Sequence, residues 1–167
     1  MRAAPSRRWP WFVFVALVLG IVSGRWTAEQ PGLLPGEATV PSDAVGPCQV
    51  KQVIDGDTID VQCPGQKRER IRMLRIDTPE REEPGYAEAR SALRSMLRGQ
   101  DVHLVYERPG EPARGGHGRV LAYVYVGDTN VNVEIVRQGH SHFDTRWGEG
   151  RFARDFEGAE RAQTVPR

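Results

Sequence analysis

The chain has 167 residues, 39% of them hydrophobic and 27% charged, a composition that sustains one packed domain with appendages. The net charge is +1, but four of the 23 basic residues (Arg2, Arg7, Arg8 and Arg25) lie in an N-terminal stretch without a single acid, so the remainder carries 19 basic against 22 acidic residues, about −3. That excludes a domain that retains nucleic acid by bulk positive charge; any phosphate must be held by a few placed arginines and a cation.

In chain order, Arg7 and Arg8 precede an almost wholly apolar run, Trp9 to Val22, with aromatic residues Trp9, Trp11, Phe12 and Phe14. The run suits the core of a signal peptide better than a full span of about 20 residues, although counting on to Trp26 leaves a short anchor open. Residues 1–26 are therefore expected to be a signal peptide or a membrane anchor, and either places the rest of the chain outside the cytoplasm. Residues 27–47, with Pro31, Pro35, Pro41 and Pro47 and little periodicity, are expected to be a flexible linker.

Residues 48–167 form the expected domain. Gln49–Ile54 and Thr58–Gln62 predict a hairpin with Asp55-Gly56 at a two-residue turn. In that register Cys48 faces Cys63, and opposed cysteines on antiparallel strands suit a disulfide, which persists in an oxidising compartment. Alternation puts Cys48, Val50, Ile54, Asp57, Ile59, Val61 and Cys63 on one face, so Asp57 is a carboxylate at the end of a mostly apolar stripe. Glu69–Ile76 predicts a third strand. Tyr86–Leu97 predicts a helix ended by Gly99, and Val102–Tyr106 and Val120–Val126 two more strands. A short helix, Val131–Arg137, is capped by Asn130 and closed by Gly139, and Phe152–Ala162 suits a final helix. The order is that of an α+β domain, compatible with a five-stranded barrel of OB type carrying two to three helices, preceded by the hydrophobic N-terminal segment.

Five residues carry the chemistry: Asp57, Arg72, Asp77, Glu80 and Arg119. Two carboxylates from different strands hold a hard cation such as Ca²⁺. Arginine presents a permanently charged planar fork to phosphate oxygens, and glutamate accepts a proton from water or positions it. Simple alternation leaves Arg72 and Asp77 on opposite faces of the third strand, so they meet only if the chain bends before Asp77.

Four ordered blocks, Ile54-Asp55-Gly56-Asp57-Thr58, Ile71 to Glu80, Gly118 to Tyr125, and Val131-Asn132 with Val136-Arg137-Gln138-Gly139, closely resemble the staphylococcal nuclease (thermonuclease-like) family. The resemblance implies an OB-type barrel. It also implies a Ca²⁺ site made by Asp57, Asp77 and the Thr78 carbonyl, phosphate binding by Arg72 and Arg119, and action of Glu80 on the attacking water. The implied reaction is endonucleolytic cleavage of DNA or RNA that leaves 3′-phosphates. Two positions depart from the family: His117 stands where a tyrosine often precedes Gly-Arg, and Thr145 falls near an expected aromatic platform, with Trp147 close by. His117 is either a phosphate donor or an exposed loop residue; Trp147 is the candidate stacking platform for a base. The competing functional class is a non-catalytic OB-type module that binds single strands. It is disfavoured because carboxylates beside phosphate-binding arginines repel a polyanion. A structural domain with the same residues in a buried ionic network is an expensive alternative. His140 and His142 lack a third ligand in the sequence and read as surface residues.

Overall fold

The computed structural model describes residues 40–163. The expected signal peptide or anchor, and residues 27–39 of the expected linker, lie outside the described residues. Among those described, no helix is long and apolar enough to cross a membrane.

The architecture is a closed mixed barrel with three helices. Strands β1 (Val45–Val53), β2 (Thr58–Gln62) and β3 (Glu69–Met73) form an antiparallel meander. Helix α1 (Tyr86–Leu97) follows, then β4 (Asp101–Val105), β5 (Val120–Val126) and the two-residue β6 (Thr129–Asn130). Helices α2 (Val131–Arg137) and α3 (Ala153–Gln163) complete the chain. β1 also pairs with β4, β4 with β5, and β3 runs parallel to β5, which closes the barrel and leaves no long free edge among its five main strands. The fold is the OB-like one expected.

Local sequence explains the elements. α1 buries Ala89, Leu93 and Leu97, one turn apart, against the barrel, and Gly99 ends it with a φ of +69°. The Asn130 side chain accepts from the N–H groups of Asn132 and Val133, the N-cap read from the sequence, and Gly139 at φ +82° lies just beyond α2. The core runs through Ile59, Ile71, Met73, Val105, Val124 and Ile135 and is closed on the α3 side by aromatic residues. There Tyr123 meets Phe152 edge-on at 4.7 Å, and Phe143 stacks on Phe156 at 4.9 Å.

Three details differ from the sequence expectation. The hairpin register holds at Val50↔Val61 but slips by one to Val53↔Ile59, because Lys51 sits in a β-bulge between Val50 and Gln52. The two-residue turn therefore gives way to a wider loop in which the Ile54 and Asp55 amides both point to the Thr58 carbonyl. β3 ends at Met73, not Ile76, because Arg75 adopts a φ of +64° that a strand does not tolerate. β1 begins at Val45, inside the expected linker. The expected disulfide does join Cys48 and Cys63, with Cα atoms 4.1 Å apart.

Candidate active site

Asp57 enters β2 from the widened loop. Its N–H donates to the Asp55 carboxylate (3.0 Å), an Asx turn that points the Asp57 side chain inward. It is 5% exposed. Its Oδ2 accepts from the Thr78 amide (3.0 Å) and the Thr78 hydroxyl (3.1 Å), and its Oδ1 from the Thr58 hydroxyl (2.9 Å). Gly56 has no room for a side chain: a Cβ there would lie 2.7 Å from Thr78 Oγ1 and 2.8 Å from Ala89 Cβ. Glycine thus lets the β1–β2 loop, the Thr78 loop and α1 meet.

Arg72, near the end of β3, reaches both acids. Its Nη1 lies 3.1 Å from Asp57 Oδ2 and its Nη2 2.8 Å from Asp77 Oδ1. Nη1 also donates to the carbonyls of Met73 (2.9 Å) and Ile76 (2.7 Å), so the turn after β3 wraps around the guanidinium. That turn resolves the parity conflict: once the strand stops at Met73, alternation no longer governs Asp77, and the Arg75 conformation brings it back to the face of Arg72. Burial pushes the Asp57 carboxyl up to about 6, with Arg72 and the Thr78 amide only partly offsetting the loss of water.

Asp77 carries a second arginine that the sequence analysis missed. Arg146 Nη2 lies 2.5 Å from Asp77 Oδ2, and Asp144 holds the same guanidinium through Nε (2.9 Å) and Nη2 (2.8 Å). Asp144 is anchored in turn by its amide to the Arg75 carbonyl (2.9 Å). The contact spans 69 positions, and no local pattern announces it. Ser141, also unremarked in the sequence, is buried, accepts from the Asp77 amide (2.9 Å) and donates to the Asp77 or the His142 carbonyl.

The remaining expected residues surround this cluster. Glu80 is exposed three residues after Asp77; its amide donates to Glu83 (2.8 Å), and its carboxylate pairs with no described residue. It lines an open cleft of about 450 Å³ together with Asp77, Thr78, His140 and Ser141. Arg119 immediately precedes β5. β5 pairs in parallel with β3 so that Leu121 lies beside Arg72, and Arg119, two residues earlier, has the same outward parity as Arg72. Among the described residues its side chain donates only from Nε, to the Gly116 carbonyl (3.2 Å), and no described acid pairs with it. His117 is exposed, at φ +58°, in the short 3-10 turn leading to Arg119. Trp147 is 84% exposed and adjoins Arg146 in sequence. Among the described residues no group of three or more His, Cys, Asp or Glu side chains is placed to hold a metal ion, and His140 and His142 line the same cleft as Asp77 and Glu80. The oxygen donors that Arg72 draws together are the Asp57 and Asp77 carboxylates, with Thr78 turning its amide and hydroxyl toward Asp57; carboxylate oxygens are hard donors, which suit Ca²⁺ and not a soft transition metal.

A family model described as staphylococcal nuclease homologue matches residues 70–162, more than half of the chain. The chain belongs to the staphylococcal nuclease family. The matched region includes Arg72, Asp77, Thr78, Glu80 and Arg119; Asp57 precedes it. Similar proteins include a thermonuclease of Staphylococcus intermedius, 43% identical over 96 residues covering 54% of this chain and 55% of the relative. An uncharacterized endonuclease of Escherichia coli is 36% identical over 92 residues, 54% of this chain and 56% of the relative. Endonuclease YncB of Bacillus subtilis is 33% identical over 94 residues, 53% and 43% of the two chains. The chain thus spans about half the length of these relatives.

Proposed function

We propose that this nuclease-family chain is a Ca²⁺-dependent endonuclease that hydrolyses phosphodiester bonds of DNA or RNA and leaves 3′-phosphates. The observation that carries the reading is the convergence of Asp57 and Asp77 on one arginine at the end of β3, with the unpaired Arg119 at the neighbouring strand end. A pure binding module has no use for two acids where a phosphate must sit. The endonuclease and thermonuclease names of the relatives point the same way.

Asp57, Asp77 and the Thr78 carbonyl would hold the cation. When bound, Ca²⁺ supplies positive charge to the phosphate and lowers the barrier to attack by water. The chain's own residues do the rest. Thr78 and Thr58 fix the Asp57 carboxylate so that it cannot swing away. Arg119 has a full set of terminal N–H donors for phosphate oxygens, and Arg72, already between the acids, has the same chemistry. Glu80, unpaired in the cleft, accepts a proton from the attacking water; the new P–O bond forms as the bond to the 5′ oxygen breaks, and that oxygen takes a proton from solvent water to leave as a hydroxyl. Trp147 offers a face on which a base can stack, and His117 a donor at the mouth beside Arg119.

The expected compartment is outside the cytoplasm, whether the N-terminal segment is cleaved or retained as a membrane anchor. The Cys48–Cys63 disulfide supports it, since such a bond endures where thiols are not kept reduced, and extracytoplasmic Ca²⁺ would serve even a weak site. The test is cleavage of single-stranded DNA and RNA by the full chain in Ca²⁺ or in chelator, with Glu80→Gln and Arg119→Ala beside it. Turnover that needs Ca²⁺ and is lost in both variants is the expected result. Binding of single strands without any cleavage would instead establish a non-catalytic module.

A further inference from the structure

A second basic feature lies away from the acids. Arg90, Arg94 and Arg98 follow one another at four-residue spacing along α1 and its C-cap, so they form a row on one face, about 6 Å apart. Opposite them, the β-bulge at Lys51 re-aims a lysine from β1. These four side chains line one groove of about 680 Å³ between β1 and α1.

The charges in this groove are unspent. Arg68, Arg70, Arg114 and Arg151 each rest on a carboxylate, as most arginines of this mildly acidic domain do. Arg94, Arg98 and Lys51 are exposed and pair with no acid among the described residues; Lys51 reaches only the Gln49 amide oxygen (2.8 Å). Arg90 donates to the Val53 carbonyl at 3.4 Å, and its buried Nε–H has no acceptor among the described residues. Asp101 is the one acid on the groove wall. Holding several like charges together without counter-ions is unfavourable, so the row suits an anionic partner with repeating charge.

The row also points somewhere. Its inner end, Arg90, binds the strand that leads into the Asp57 loop, and its neighbour Ala89 packs beneath Gly56 of that loop. Its outer end, Arg98, lies about 12 Å further along the helix. We propose that Lys51, Arg90, Arg94 and Arg98 form a track for the sugar-phosphate backbone of a single strand, extending the grip on substrate beyond the reacting phosphate. The inference rests on the nuclease reading for the identity of the polyanion, but its test does not depend on turnover.

The experiment uses the full chain and a fluorescein-labelled 30-nucleotide single-stranded DNA, bound in chelator over a salt series. The triple variant Lys51→Gln/Arg94→Gln/Arg98→Gln leaves the partly buried Arg90 in place. It is expected to bind at least tenfold more weakly, with the salt slope shallower by about 2, since each phosphate contact on a single strand contributes about 0.7. Cleavage of a two-nucleotide substrate in Ca²⁺, too short to reach the groove, is expected to stay within twofold of the parent chain. Arg94→Lys/Arg98→Lys, which keeps the charge, should retain most of the affinity, and Arg98→Gln alone serves if the triple variant does not fold. Unchanged affinity and salt slope in the charge-removing variants would overturn the track. So would loss of binding to vesicles containing phosphatidylglycerol while DNA binding stayed intact, which would assign the groove to a lipid surface. A parent chain that cuts neither substrate but loses DNA binding on these substitutions would keep the track and sink the nuclease reading.

Discussion

At Asp57, burial outweighs its hydrogen bonds. A carboxyl whose folded value is raised from 3.8 to about 6 holds its proton more tightly in the folded chain than in the unfolded one. Its contribution to stability therefore falls as pH rises from about 4 to about 6, and above that the metal-free fold carries the full cost of the ionised group. Asp57→Asn removes the charge and keeps the shape. It is expected to stabilise the metal-free chain at pH 7 by about 1–3 kcal/mol, with the gain shrinking toward zero near pH 4, while abolishing cleavage. Thermal unfolding at the two pH values checks this; equal destabilisation at both would show that the hydrogen bonds from Thr58 and Thr78 matter more than the charge. Asp60 is the opposite case. Hydrogen bonds from Arg70 and Arg68 hold its carboxyl below the usual range, so its stabilisation is present above pH 4 and is lost as pH falls through the lowered value. The two carboxylates lie three positions apart on β2 and its approach, and nothing in their immediate sequence distinguishes them. Their difference arises from burial, which dominates at Asp57, and from Arg70 and Arg68, which a neighbouring strand and loop deliver to Asp60.

Connections between elements decide whether the site forms. The buried Asn132 of α2 accepts from the Val124 amide (2.9 Å) and donates to the Leu74 carbonyl (2.8 Å), tying the first turn of α2 to β5 and to the bend after β3. Asn132→Leu strands both backbone groups and is expected to cost about 2–4 kcal/mol. Because the bend it secures carries Asp77, cleavage should fall more steeply than folding at temperatures where the variant is still native; parallel losses of both would deny Asn132 a role in holding the bend. The periodic elements were legible: apolar spacing marks α1, α2 and β5 to their end residues, and the Asn130 cap and Gly139 stop act through local geometry. The bulge at Lys51 and the left-handed Arg75 were not, because both are set by what the chain must meet across the barrel. Glu80 and Arg119 are legible as expected site residues through their motif blocks, and neither side chain pairs with a charged group among the described residues. Arg146 lay beyond reach, since a pairing across 69 positions leaves no spacing to read.

On the scale of the whole molecule, charge is partitioned. Most of the described arginines rest on a carboxylate, whereas Arg119 and the row along α1 pair with no acid among the described residues. Under the proposed function, the mildly acidic domain would engage a polyanion locally and release it, which suits turnover. The disulfide joins the first two strands of the barrel across a separation of 15 residues, where loop closure is worth about 3 kcal/mol. Reduction is therefore expected to lower the unfolding midpoint by about 10 °C, read by calorimetry with and without reductant, while native chain retains cleavage because the cysteines lie apart from the acids. An unchanged midpoint would show that the barrel alone supplies that constraint. The decisive quantity is the rate of Ca²⁺-dependent cleavage of single-stranded DNA by the full chain. Cutting is expected in Ca²⁺ and none in chelator, with a loss of at least a hundredfold in Glu80→Gln and in Arg119→Ala while the fold stays intact. Cleavage that persists in chelator, or that survives both substitutions, would contradict the Ca²⁺-dependent mechanism.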